Sequence, residues 1–155
     1  MSWRNYERSM EQAKQCRFYT TAGGKTIAEI QKAEELLGIR FSRQYRDFCE
    51  NYGYLSFYGN EIFGIDIDNM EELEGNCVAY ALNDREEYGL SHSYIPIYNY
   101  GDGTMAYMDC SILNEEEEPR IVILEHDGSY YNVIETAAED FGDFILGLVE
   151  AELES

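Results

Sequence analysis

His92 and His126 are the only histidines in the 155-residue chain, and histidine is the side chain that ordinarily changes charge near neutral pH. They stand in Ser91-His92-Ser93 and Glu125-His126-Asp127, where either could act as a general base beside a hydroxyl or carboxylate. A base needs a nucleophile to activate. The chain has no Gly-x-Ser-x-Gly elbow, and no cysteine has a histidine close by in sequence. Gly24-Lys25-Thr26 looks like the end of a phosphate-binding loop, but Tyr19 occupies the place of the required first glycine and no buried strand precedes it. Asp66-Ile67-Asp68-Asn69 begins like a calcium loop, yet Glu71 replaces the sixth-position glycine and Cys77 the closing glutamate. Glu115-Glu116-Glu117-Glu118 reads as a solvated loop before Pro119. Cys16, Cys49, Cys77 and Cys110 are too scattered for a zinc site and read as buried thiols of a reducing compartment. These residues predict no enzyme, no catalytic residues, no metal site and no cofactor.

The remaining chemistry is that of acids and tyrosines. The formal charge is −20, and it is unevenly spread. Residues 1–46 hold nine basic and five acidic side chains, a balance of +4, whereas residues 47–155 hold only Arg85 and Arg120 against twenty-six acids, a balance of −24. Such a surface repels nucleic acid and anionic membranes, so neither is expected as a direct ligand. It favours a cationic partner and speeds encounter with it; solubility or tolerance of salt is the alternative reading of the same charge. Tyrosine supplies a large rigid face with a polar tip, the type of residue that dominates interfaces, and the chain has 14 of them. The partner-binding candidates are one acidic patch of Asp66, Asp68, Glu71, Glu72 and Glu74 and a second of Asp84, Glu86 and Glu87. Tyr54, Tyr58 and Tyr100, with Asp102 at the turn after Tyr100, are added to them. Aromatic strand residues in a core would account for part of the tyrosine content.

The elements that must carry these residues are legible from periodicity and punctuation. Trp3, Tyr6, Met10 and Ala13 recur at helical spacing. Thr26 and Glu29 form a capping box for a helix bearing Ile27, Ile30, Ala33, Leu36 and Leu37, which Gly38 stops. Ser42 opens a third helix with Tyr45, Phe48, Cys49 and Tyr52, ended by Gly53 and paired with the second through Ile39-Arg40-Phe41. Leu55, Phe57, Ile62, Phe63 and Ile65, broken at Gly59-Asn60, predict a hairpin. A polar helix is expected from Asp68 or Asn69 toward Leu82. A second hairpin flanks Gly101-Asp102-Gly103, a strand follows at Ile121-Val122-Ile123-Leu124, and another is expected from Tyr130 to Ile134 after an Asp127-Gly128 turn. Phe141, Phe144, Ile145, Leu148 and Val149 mark a last helix. Helices, then strands, then a helix predict an α+β single domain over residues 1–155, a mainly antiparallel sheet flanked by helices. No apolar leader stands at the N-terminus and no run of residues is long and apolar enough to span a bilayer, so a cytoplasmic, membrane-free protein is expected.

The order of these landmarks resembles the SUKH superfamily, the Smi/Knr-type domain. Glu34 and Gly38 stand where that family has its Glu and Leu-Gly, with Phe41-Ser42 in place of its usual Leu-Pro. Tyr45 and Phe48 match its next helix, and Asn51-Tyr52-Gly53 resembles that helix's end. Glu61-Ile62-Phe63-Gly64-Ile65, Ile95-Pro96-Ile97, Pro119-Arg120-Ile121-Val122 and Phe141 with Phe144 follow in the family's order. The likeness spans residues 27–149, behind an N-terminal helical segment at 1–22. It implies an α+β fold without catalytic residues. For a bacterial relative it implies an immunity protein that binds and neutralises a cognate toxin domain, often a nuclease; the −24 section adds the expectation that the toxin is basic and that its active or substrate-binding surface is the part covered. For a eukaryotic relative it implies a regulatory scaffold with several partners.

Overall fold

The computed structural model describes residues 2–126 and 131–154. Helix α1 (Ser2–Ala13) buries Tyr6, Met10 and Ala13, the stripe its spacing predicts. Helix α2 (Ile27–Leu37) starts at a complete capping box: the Thr26 hydroxyl accepts the Glu29 N–H at 3.1 Å, and the Glu29 carboxylate accepts the Thr26 N–H at 2.9 Å. It ends at Gly38, whose φ of +72° suits the left-handed stop. Helix α3 (Arg43–Asn51) begins where the Ser42 hydroxyl accepts the Tyr45 N–H, and the Gly53 N–H closes it on the Phe48 carbonyl.

Strands β1 (Thr20–Thr21), β2 (Leu55–Phe57) and β3 (Asn60–Ile62) form a small antiparallel sheet in that order. The β2–β3 turn is Tyr58-Gly59, one residue earlier than expected, with φ of +52° and +82°. Those angles fit the hairpin turn whose twist matches its strands. Strands β4 (Tyr94–Asn99), β5 (Thr104–Leu113), β6 (Pro119–His126) and β7 (Tyr131–Ala138) form a four-stranded antiparallel sheet in chain order. The Phe63 N–H donates to the Ile97 carbonyl at 2.9 Å and ties the small sheet to edge strand β4. Of the expected last strand and its turn, Asp127, Gly128 and Tyr130 lie outside the described residues; β7 runs on to Ala138.

The expected helix from Asp68 or Asn69 does not form. Helix α4 spans Cys77–Tyr88, and residues 66–76 are an irregular loop. Buried Asn76 explains this. Its side-chain oxygen accepts the Asp66 N–H at 3.2 Å and caps α4 at Ala79, while its amide donates to the Asp66 and Asn69 carbonyls at 2.8 and 3.2 Å. Those bonds replace the helical ladder that polar residues alone would need. Gly75, at φ +81°, completes the break.

Helix α5 (Phe141–Glu154) opens with the Asp140 carboxylate accepting the Asp143 N–H at 2.9 Å. It lies against α1 so closely that a Cβ on Gly142 would sit 2.6 Å from the Tyr6 Cα. Phe141 is the hub of the helical core: its ring centre is 5.1 Å from those of both Tyr45 and Phe48 and 6.3 Å from that of Tyr6. The edge-on packing on Tyr45 and Phe48 adds to simple area burial. The result is an α+β fold with two antiparallel sheets and flanking helices, as the sequence predicts.

Candidate functional site

Helix α4 places Tyr80, Asp84 and Tyr88 four residues apart, on one face. Strand alternation does the same opposite them, with Met105 and Tyr107 on β5 and Leu124 and His126 on β6. These residues, Tyr131 of β7, Asn99 at the end of β4, and Gly101 and Gly103 of the β4–β5 turn line a cleft of about 400 Å³. The Tyr88 and His126 rings lie 4.4 Å apart, His126 and Tyr131 4.6 Å, and Tyr107 and Tyr131 6.3 Å, so one wall is a run of adjacent aromatic rings, tilted or edge-on to one another. Asp84 lies within it at 7% exposure. Its carboxylate accepts the Tyr131 hydroxyl at 2.9 Å and the Asn83 amide at 3.0 Å. Burial, then the Asp84 charge, pushes the Tyr80 hydroxyl up to about 12 and raises Tyr107 and Tyr131 as well. All three therefore stay neutral hydrogen-bond donors.

A second concavity, about 210 Å³, adjoins the 66–76 loop. Tyr54, Asp66, Glu72 and Glu74 line it with Glu61 and Lys25. Tyr54 donates a very short hydrogen bond to Glu61, and burial followed by that contact raises its hydroxyl to about 12. The Asp66 carboxylate accepts from the Asn69 amide through both of its oxygens. Glu74 accepts from the Asn99 amide at 3.2 Å. Because Asn99 also borders the α4 cleft, the Glu74–Asn99 hydrogen bond makes the two acidic and aromatic concavities neighbours.

The structure thus gathers Tyr54, Asp66, Glu72, Glu74 and Asp84, with exposed Asp68 and Glu71 on the same loop. Asp84 is set apart from exposed Glu86 and Glu87, which continue α4 outside the cleft. Tyr58 stands in the β2–β3 turn, its N–H bonded to the Arg17 carbonyl. Tyr100 leans on Tyr98, which meets Phe144 of α5 and so faces the other side of the sheet from α4. Asp102 is committed to its own turn: its carboxylate accepts the Thr104 N–H and hydroxyl at 3.0 and 2.6 Å, and these bonds hold the carboxyl below its usual range. The cleft residues Tyr80, Tyr107 and His126 were not among the partner-binding candidates. For Tyr80 the sequence carries a signal, its four-residue spacing from Asp84 and Tyr88, which a helix running only toward Leu82 cuts short; Tyr107 and His126 join it only through strand pairing.

Among the described residues the ion pairs are Arg8–Glu150, Lys14–Glu11, Arg46–Glu34 and Arg120–Asp109. None involves the acidic residues of this face. Arg85, adjacent to Asp84, spends its guanidinium on the Leu37 and His92 carbonyls at 2.9 and 3.0 Å. All four cysteines are free thiols, and burial pushes each upward, Cys77 and Cys110 to about 12. Such thiols are poor nucleophiles. No cluster of three or more metal-ligating side chains occurs among the described residues, and no helix is long and apolar enough to cross a membrane.

A family model described as SMI1-KNR4 cell-wall matches residues 27–145, most of the chain. The chain belongs to the SUKH superfamily. No curated protein matches it. The stretch matched in this SUKH protein runs from α2 into α5 and contains the whole α4 cleft and all of the second concavity except Ala22 and Lys25. The superfamily is one of immunity and interaction domains, generally immunity proteins.

Proposed function

We propose that this SUKH protein is an intracellular immunity protein that binds a cationic toxin domain, of the kind that must itself hold nucleic acid, and covers its substrate-binding surface. One observation carries the reading: the 66–76 loop adjoins the α4 cleft through the Glu74–Asn99 hydrogen bond, and the carboxylates lining the two enter none of the ion pairs among the described residues. A protein that grips phosphates needs clustered Lys and Arg. An acidic face competes for that cluster and raises the rate of encounter. Inhibition is then steric and electrostatic, with no chemistry on the inhibitor.

The test pairs this protein with the product of the gene beside its own, which the reading expects to be a toxin. Expressed alone, that product arrests growth, and co-expression of this chain restores it. Charge reversal at Glu71, Glu72 and Glu74, all on the irregular loop, slows association by about tenfold at low salt, and the difference shrinks as salt is added. Failure of the unaltered chain to protect, or protection by a salt-insensitive complex, removes the reading.

A further inference from the structure

We propose that the cleft between α4 and the four-stranded sheet is a socket for one arginine side chain of the protein partner. The proposal deepens the immunity reading and rests on it only for the source of the arginine; the socket's chemistry stands on its own geometry.

A buried carboxylate costs free energy unless it is hydrogen-bonded and paired with a cation. Asp84 is hydrogen-bonded but unpaired. Its Oδ1 accepts from Asn83 and its Oδ2 from Tyr131, one bond each. A carboxylate offers about four lone-pair directions, so each oxygen keeps acceptor capacity. The nearest guanidinium in sequence, Arg85, is turned to two backbone carbonyls and does not fill the role. A planar cation from outside fits the acceptor positions that remain.

The aromatic wall selects its shape. The rings of Tyr88, His126, Tyr131 and Tyr107 follow one another at centre distances of 4.4, 4.6 and 6.3 Å. Tyrosine faces are electron-rich and attract a cation within about 6 Å. These rings are tilted or edge-on to one another, at 57°, 34° and 79°, so a guanidinium stacks on the face of one ring at a time and presents a rigid fork to a carboxylate, whereas an ammonium is compact and more strongly hydrated. A cleft of about 400 Å³ holds a side chain of that size. Tyr88, at 44% exposure, forms its outer lip. The surrounding acids, Glu74 beside Asn99 among them, add a field that draws a cation in.

The experiment uses the whole protein and a defined probe, N-acetyl-arginine methylamide, followed by chemical-shift titration at low salt. The arginine probe gives saturable shifts on Leu124, His126 and the cleft tyrosines. Its affinity falls by about tenfold in Asp84→Asn, the scale of losing one charge-assisted contact. Tyr88→Ala, at an exposed position that leaves the core intact, weakens it in the same direction. The corresponding lysine amide binds more weakly. Non-saturating shifts, an affinity unchanged in the folded Tyr88→Ala variant, or a lysine amide that binds as well as arginine each overturn the socket. Toxin protection that persists alongside any of these results leaves the immunity reading intact and discards the socket alone.

Discussion

Glu34 shows what a single side chain does between two helices. Its Oε2 accepts the N–H of Phe41, the last connecting residue but one before α3, at 2.7 Å, and the Arg46 guanidinium at 2.5 Å. The carboxylate is only 12% exposed, so both bonds form in a medium that strengthens them. The sequence marks Glu34 as a residue shared with the family, together with Gly38, but not the reason. Its partners lie seven and twelve residues away, across a loop whose path periodicity does not describe. Replacing Glu34 by Ala strands the Phe41 N–H and frees the Arg46 charge, at a cost of about 2 kcal/mol of unfolding free energy. Urea denaturation of the variant measures it, and a loss below about 0.5 kcal/mol, the level of a surface substitution, shows the clamp to be idle.

Elements whose ends are fixed by neighbours in sequence are legible from the residues alone: Thr26, Gly38, Ser42 and Gly53 start and stop α2 and α3 where their chemistry places them. Elements fixed from a distance are not. Asn76 holds the 66–76 loop open, and Glu118, read in sequence as part of a solvated acidic run, is turned inward to 2% exposure. The Asn114 side chain accepts the Glu116 and Glu118 N–H groups, and Glu117 takes a φ of +62°. That turn brings the Glu118 carboxylate to the N-terminus of α3, where it accepts the Gln44 N–H at 3.3 Å. A negative charge is favoured there, but desolvation outweighs this and raises the Glu118 carboxyl above its usual range, with its Oε1 left without a hydrogen-bond partner. The folded state therefore binds this proton more tightly than the unfolded chain does. The resulting stability is present below the ordinary glutamate range and is lost as pH rises through the elevated value. Glu118→Gln removes that slope. The stability difference, variant minus original, becomes more positive as pH rises across this window and is constant above it. Denaturation at a series of pH values reads the trend; a difference that declines with rising pH contradicts the assignment.

At the scale of the molecule, the sequence supplies the charge and the fold supplies its arrangement. The −24 balance over residues 47–155 can be counted from the sequence. That the acids of the 66–76 loop border an aromatic cleft containing Asp84 cannot, because α4 and all four strands of the larger sheet, together with the β4–β5 turn, must assemble before the cleft exists. With few internal counter-ions, the field opposes the fold that creates it, since like charges are brought closer on folding. Salt separates the two consequences by sign. Between about 0.01 M and 0.15 M monovalent salt the Debye length falls from about 30 Å to about 8 Å, which removes repulsion between all but neighbouring surface charges. The free protein is stabilised over that range by about 1 kcal/mol, a rise of about 2–4 °C in Tm for a domain of this size. The cationic partner proposed above gives the opposite sign: its attraction is screened over the same range, so binding to it is expected to weaken while the free protein strengthens. A thermal melt across the salt series tests the first half. A Tm that stays flat or falls means the carboxylates are spaced too widely to strain the fold, and the acidic face then exists at no cost to stability.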